Sequence, residues 1–232
     1  MRVIDCLQGS PQWHAARLGI PTCSRFSDIL APKKLEPSKS QAKYIHRLVA
    51  EAVLGEPIDG EVSFAMERGT LLETQAARAY EWELGVQARL VGFVKHETLE
   101  VGGSPDRLVG DDGGVEIKAP LPHTHVGYLL DGPDAEYRLQ YQGCIWVTER
   151  NWWDFYSHHP SMPDARYRFE RDDKVMAAFD EHIPAFLEKL QAAKDRAREL
   201  GCEFPEPILE PAGDYEPSGV NDQHFGGIPE CF

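Results

Sequence analysis

The stretch from Gly103 to Lys118, GSPDRLVGDDGGVEIK, constrains the fold most, because it has the pattern of two short β-strands joined by a tight turn. Residues 111–114 (DDGG) tolerate the positive φ angles that hairpin turns need. Asp106 falls on the first predicted strand. Glu116 and Lys118 fall on the second strand, two positions apart and so on one face. The stretch predicts a hairpin that brings Asp106 near these two side chains.

Two carboxylates beside an ammonium group have a definite chemistry. Carboxylate oxygens bind Mg²⁺, and a lysine can steady an attacking hydroxide or the charge on a scissile phosphate. The group therefore fits metal-dependent phosphodiester hydrolysis. Taken alone, the pattern is more often a solvated hairpin rim with a surface ion pair, in which Val115 and Ile117 are simply the buried face of the strand.

Composition excludes several classes of protein. The 232 residues, 42% of them hydrophobic, suit one large domain or two small ones. No apolar run approaches a membrane span, and the N-terminus lacks the apolar core of a signal peptide. The sequence has no CxxC pair, so it does not indicate a zinc site. The cysteines are odd in number and widely scattered, which favours a reducing cytoplasm. They are Cys6, Cys23, Cys144, Cys202 and Cys231.

The net charge of −14 argues against binding of nucleic acid, because a protein that binds phosphates normally has a basic surface. Half of that charge, however, lies in residues 203–232, which carry seven acids, five prolines and no Lys or Arg. We expect a domain over residues 1–202 and an acidic, Pro/Gly-rich tail over residues 203–232. Residues 25–47 carry six basic and two acidic groups. That segment fits either DNA held in a confined channel or a solvated helix face.

Hydrophobic periodicity predicts one α+β domain. Helices are expected near residues 10–18, 22–30, 40–55, 64–84, 137–148 and 172–200, and strands near residues 88–95, 98–103, 106–110, 114–119, 152–158 and 165–171. His123 and His125 can share a strand face, and they are predicted to be loop or rim residues rather than metal ligands.

Two further side chains are candidates for the site. Glu73 lies in the middle of a predicted helix among apolar neighbours, either at a buried boundary or on the surface near Arg78. Gln140 lies among aromatic residues, where its amide can orient a water or a phosphate, or bond a neighbouring backbone.

The ordered set of motifs resembles the phage λ-type alkaline exonucleases and the wider YqaJ-like family of viral recombination nucleases, and the chain is similar to their bacterial or prophage members. The resemblance covers nearly all of residues 8–195. The motifs are QWHAARLG (12–19), GTLLE (69–73), SPD (104–106), EIKAP (116–120), QYQ and WVT (140–148), and the segments 156–162 and 179–186.

The resemblance implies a restriction-endonuclease-like core, an α/β/α arrangement with a central mixed sheet flanked by helices. It implies that Asp106, Glu116 and the Ile117 carbonyl bind a metal ion. Lys118 would then position the attacking water. Glu73 would ligate a second metal or orient the water, and Gln140 would be the active-site glutamine.

A 5′-phosphate pocket formed by Arg17, Ser24 and Ser104 is also implied. A guanidinium and two hydroxyls suit a phosphate, although Arg17 can also be a helix C-terminal charge and Ser24 an N-cap. Further DNA contacts are implied for Lys33 and Lys34, and an apolar wedge at the duplex end for Met66.

The implied activity is processive 5′→3′ hydrolysis of linear duplex DNA with two Mg²⁺ ions, or Mn²⁺. It releases 5′ mononucleotides and leaves a 3′ overhang. A toroidal homotrimer and a single-strand annealing partner are implied as well. The alternatives are a non-catalytic DNA-end-binding protein, and an endonuclease or repair nuclease of the same fold. One departure is His96, where the family has an acid; His96 or Glu97 must replace it, or its role is absent.

Overall fold

The computed structural model describes residues 1–58, 64–135 and 137–205, and within the helix that begins at Phe64 it describes side chains from residue 72 onward. Residues 206–232 of the tail and the Met66 side chain lie outside this description. In chain order the elements are β1 (Arg2–Ile4), α1 (Pro11–Arg17), a 3₁₀ turn (Cys23–Arg25), α2 (Phe26–Ile29), α3 (Gln41–Leu54), α4 (Phe64–Leu84), β2 (Ala88–Leu90), β3 (Phe93–Lys95), β4 (Gly102–Gly103), β5 (Arg107–Val109), β6 (Gly113–Lys118), α5 (Pro122–Asp131), α6 (Tyr137–Thr148), β7 (Trp152–Ser157), β8 (Ala165–Glu170) and α7 (Asp173–Glu199).

A five-stranded sheet in the order β2-β5-β6-β7-β8 forms the centre of the molecule. β6 and β7 run parallel, and the other neighbouring pairs are antiparallel. The parallel pair needs a crossover, which α5 and α6 supply. A smaller sheet, β1-β3-β4, lies beside it. The five-stranded sheet is therefore mixed, with one parallel pair and three antiparallel pairs.

Helices cover both faces of the central sheet. On one face a large core joins Trp153 and Phe155 of β7 to α6 and α7. On the other face, Tyr80 of α4 belongs to a second core with Val115 and Ile117 of β6. Alternation along β6 sends these two apolar residues to the α4 side and leaves Glu116 and Lys118 on the α6 side. The predicted α/β/α fold class is confirmed.

The predicted hairpin is present, but its turn lies earlier than expected. Gly110, at φ +52°, begins a three-residue connection between β5 and β6. Gly113 and Gly114 are in β6, where a Cβ atom would come within 2.1 Å of Trp152 and 2.4 Å of Trp153. These glycines therefore make room for indole rings.

Two other expectations are corrected. The predicted strand 88–95 is split between the two sheets as β2 and β3, and a Cβ on the intervening Gly92 would lie 2.2 Å from the Cys6 carbonyl oxygen. His125 belongs to helix α5 and is fully buried, with its ring nitrogens 2.8 Å from Ser157 Oγ and 2.9 Å from Pro163 O. None of the helices in the described ranges has the length and apolar character needed to cross a membrane.

Candidate active site

Asp106 and Glu116 meet where β5 begins and β6 approaches its end. Arg107 pairs with Val115 in the antiparallel ladder, so the next position in register sets Asp106 beside Glu116. Asp106 Oδ2 accepts a hydrogen bond of 2.7 Å from the backbone N–H of Ile117. Hairpin pairing thus holds the two carboxylates side by side.

Glu116 is the centre of a hydrogen-bonded group on the α6 side of the sheet. Lys118 Nζ lies 2.6 Å from Glu116 Oε1, and Gln140 Nε2 donates to the same oxygen at 3.0 Å. Glu116 is only 5% exposed. A buried carboxylate held by two donors has a fixed orientation, which a reacting group requires.

The two glutamines of the QYQ motif have different roles in the structure. Gln140 contacts Glu116. Gln142, two positions later on α6, donates to the Glu170 carbonyl at 2.7 Å and accepts from the Asp172 backbone N–H at 2.9 Å. Gln142 therefore joins the end of β8 to the start of α7, and Gln140 is the glutamine at the carboxylate pair.

The electrostatics favour binding of a cation. Burial, followed by repulsion from Glu116, raises the pKa of Asp106 to about 8, although Lys118 opposes this shift. Burial lowers the pKa of Lys118, but Glu116 and Asp106 outweigh that effect and the pKa rises above its ordinary value. A second negative charge beside Glu116 is thus unfavourable with Lys118 alone, and a divalent ion would relieve that repulsion.

These donors fit a hard divalent ion. Asp106 and Glu116 offer carboxylate oxygens, and Ile117 has a backbone carbonyl between Glu116 and Lys118. Within the described ranges, no three Asp, Glu, His or Cys side chains come together as a complete metal site. The carboxylate pair would therefore need the carbonyl and water to complete the coordination of one ion.

The Asp106→Asn variant is predicted to be more stable than the wild type when metal is absent at pH 8. A carboxyl whose pKa is raised by folding costs stability above its unfolded pKa, and this cost grows until the folded pKa near 8 is passed. The advantage of asparagine should therefore shrink towards pH 4. Thermal melts in EDTA at both pH values measure the difference in stability between the variant and the wild type. The exposed Asp111→Asn is the matched control. An equal change at both pH values would contradict the prediction.

Glu73 reaches this region from α4. Its Oε1 accepts a 2.9 Å hydrogen bond from an Arg107 guanidinium nitrogen. The same nitrogen donates to the Asp106 carbonyl at 2.7 Å. Glu73 is near enough to contribute to the raised pKa of Asp106. Its described partner is Arg107, 34 residues away along the chain.

A separate cleft of about 90 Å³, open to solvent, lies between α1, the 3₁₀ turn and α3. Arg17 and Ser24 line this cleft, together with Arg25, Arg47 and Thr22. Three arginines against one glutamate, Glu51, make its wall basic. The basic segment 25–47 thus contributes Arg25 and Arg47 to the wall, whereas Lys33 and Lys34 are exposed in the loop between α2 and α3.

Trp13 connects Ser104 to this cleft, and sequence reasoning did not single it out. The Arg17 guanidinium lies 3.8 Å from the centre of the Trp13 ring, and the indole N–H donates to Ser104 Oγ at 2.8 Å. The i,i+4 spacing of Trp13 and Arg17 could have indicated their contact, because it places both side chains on one face of α1. One indole therefore holds two of the three predicted phosphate-binding residues.

The cleft and the carboxylate pair are joined by residues 102–106. Cys23 Sγ donates to the Gly102 carbonyl at 3.2 Å, which ties the 3₁₀ turn to β4. Ser104 then contacts Trp13, and Asp106 follows two residues later. A short, tethered piece of backbone thus relates the two candidate sites.

Neither residue considered as the replacement for the family's acid contacts the carboxylate pair. His96 stacks on Trp146 with 4.5 Å between ring centres, and its Nδ1 accepts from two backbone N–H groups. Burial lowers the pKa of His96. The exposed Glu97 forms a 2.7 Å ion pair with the N-terminal amine. His96 therefore stabilises the 96–99 turn, and Glu97 holds the N-terminus against it.

Comparisons with known proteins identify the family and the fold of the chain. Residues 12–151 match the YqaJ-like viral recombinase domain. The chain is 36% identical to an alkaline exonuclease (LHK-Exo) of Laribacter hongkongensis, with a TM-score of 0.73 over 82% of this chain and 97% of that one. A phage-related exonuclease of Haemophilus somnus 129PT shares the fold at 14% identity and a TM-score of 0.62, covering 78% of this chain and 96% of that one.

A shorter match joins the chain to the ExoD protein of Escherichia coli strain K12. The two are 37% identical over 75 residues, which is 31% of this chain and 83% of ExoD. The domain match spans more than half of the sequence, and the LHK-Exo match spans most of it. The chain therefore belongs to the YqaJ-like viral recombinase family and has the restriction-endonuclease-like fold of an alkaline exonuclease.

Proposed function

We propose that this protein is a 5′→3′ exonuclease that hydrolyses linear double-stranded DNA from its ends, releases 5′ mononucleotides and leaves a 3′ single-stranded overhang. One observation carries the proposal. A carboxylate–lysine group and an arginine-lined cleft are tied to the same five residues of backbone, 102–106. The solved complex of LHK-Exo with dAMP, a mononucleotide, supports this class of product.

The carboxylate pair would bind Mg²⁺, or Mn²⁺, through Asp106, Glu116 and the Ile117 carbonyl. When bound, a divalent ion in such a site lowers the pKa of water and stabilises charge on phosphate oxygens. Lys118 would hold the attacking water or the phosphate with its ammonium, which its short contact to Glu116 keeps at the site. Gln140 would keep Glu116 oriented.

The arginine-lined cleft would bind the 5′-terminal phosphate. Arg17 offers a planar fork of donors and Ser24 a hydroxyl in the lining of the cleft, and Trp13 stacks on the guanidinium. Ser104 is outside that lining, and Trp13 connects its hydroxyl to the cleft. An enzyme that cuts at internal positions has no need of a terminal-phosphate site, so this cleft favours an exonuclease over an endonuclease. The carboxylate pair and lysine favour an enzyme over a protein that only binds DNA ends.

We also propose that the protein is a toroidal homotrimer that digests DNA processively. A single-strand annealing protein would act on the overhang. Enclosure by a ring would let a protein of net charge −14 stay on DNA, because only the channel wall need be basic. Light scattering coupled to gel filtration tests the trimer, and a mass of one or two chains at working concentration would remove it.

Digestion of linear duplex DNA with Mg²⁺ tests the proposal as a whole. We expect rapid release of mononucleotides from 5′-phosphorylated ends, slower release from 5′-hydroxyl ends and no change in a covalently closed circle. EDTA should stop the reaction, because the carboxylate pair then holds no ion. Denaturing gels of DNA labelled at either end show the polarity.

Two outcomes would replace the proposal. Cutting of the circle would identify an endonuclease. Binding of DNA ends without hydrolysis in Mg²⁺ or Mn²⁺ would identify the binding protein.

A further inference from the structure

Arg107 contacts both Glu73 and the backbone of Asp106. One nitrogen of its guanidinium lies 2.9 Å from Glu73 Oε1 and 2.7 Å from the Asp106 carbonyl oxygen. A terminal guanidinium nitrogen carries two N–H donors, so these two oxygens use both. Glu73 is the carboxylate expected to ligate a second ion, and it is already paired with a cation.

The position of Arg107 in the sheet explains this contact. Arg107 pairs with Val115 in the ladder and therefore points to the α4 side. Ala76 and Ala77, one turn after Glu73, pack in the same core as Val115. Glu73 thus comes to the sheet on the α4 side, whereas Glu116 and Lys118 occupy the α6 side. The guanidinium lies between Glu73 and the backbone of Asp106.

We infer that Arg107 is a built-in second cation, so that the free enzyme binds one divalent ion per chain, at the Asp106–Glu116 pair, and Glu73 serves the arginine. This inference rests on the proposed metal-dependent function, and it departs from the two-ion expectation. A guanidinium is charged at every working pH. It therefore balances Glu73 without depending on the concentration of metal.

The side chain is well placed to keep that position. The Arg107 side chain is 11% exposed and the Glu73 side chain is 32% exposed, so the guanidinium end of the ion pair is buried and the carboxylate end is partly open to solvent. Separating the buried guanidinium from Glu73 would leave a buried charge without its partner, which is costly. A divalent ion that bound Glu73 Oε1 would have to displace this guanidinium.

The test is the number of Mn²⁺ ions that the full chain binds without DNA, measured by isothermal titration calorimetry and by electron paramagnetic resonance. We expect one ion for the wild type and two for Arg107→Ala, because alanine frees Glu73 and the Asp106 carbonyl. Arg107→Lys keeps the positive charge and should bind one. Adding Glu73→Gln to Arg107→Ala should return the count to one.

The outcomes separate this inference from the proposed function. Two ions in the wild type, or one ion in both the wild type and Arg107→Ala, would overturn the role of Arg107 and leave the nuclease standing. No ion in the wild type would instead remove the metal-dependent function. If Arg107→Ala folds poorly, Arg107→Met replaces it, because methionine keeps much of the side-chain volume, has no charge and should also allow two ions to bind. Two ions bound by Arg107→Lys or by the double variant would also overturn the inference.

Discussion

Replacing Lys118 with alanine is expected to slow DNA hydrolysis by about 10²–10³-fold, with little loss of DNA-end binding. The ammonium lies 2.6 Å from Glu116 Oε1, inside the carboxylate group and away from the arginine-lined cleft. In the proposed mechanism, its removal takes away an ammonium that would stabilise charge developing during the reaction. Single-turnover digestion measures the rate, and fluorescence anisotropy of a labelled duplex in EDTA measures binding.

Lys95→Ala is the matched control for this variant. Lys95, the last residue of β3 in the smaller sheet, is paired with Glu100 at 2.7 Å and has no role in the proposed chemistry. Its loss should leave both rate and binding unchanged. A Lys118→Ala protein that digests DNA within a few-fold of wild type would remove Lys118 from the mechanism, and equal loss of binding would show that its effect is structural.

The Arg17→Ala variant is expected to lose selectivity for 5′-phosphorylated ends. Charge-assisted hydrogen bonds contribute about 1.5–3 kcal/mol each, so digestion of 5′-phosphorylated DNA should slow by about 10–100-fold. Ends with a 5′-hydroxyl cannot make this contact and should change little. The measurement is the ratio of the two initial rates under single-turnover conditions.

Arg2→Ala controls for the loss of one exposed positive charge, because Arg2 pairs with Glu100 at a distance from the cleft. Arg17 also stacks on Trp13, so thermal melts should accompany the kinetics. Equal slowing on both kinds of end would contradict the phosphate pocket. Arg17→Lys should restore charge without the planar fork, and so recover only part of the selectivity.

Much of the candidate active site follows from local rules. Alternation along a strand puts Glu116 and Lys118 on one face, and a short hairpin returns Asp106 to them. Both consequences need only neighbouring residues. Helices with long apolar stripes were predictable for the same reason, and α4 and α6 begin and end at the predicted residues.

Pairs that are distant in the sequence were not predictable in this way. Nothing in the pattern QYQ separates Gln140, which contacts Glu116, from Gln142, which joins β8 to α7. Glu73 was expected near a metal or near Arg78, and its partner is Arg107. In each case the choice depends on which elements pack together.

The sequence by itself determined much of the local order of this protein, including its helices other than α5, its β-hairpin and the shared face of Glu116 and Lys118, because helical and strand periods relate only nearby residues. The tertiary structure decided which residues distant in the sequence come into contact. It brought α1 to Ser104 through Trp13, split residues 88–95 between two sheets, and set Arg107 against Glu73. The physical reason is that packing and long-range hydrogen bonds select among arrangements that local propensity leaves equally open.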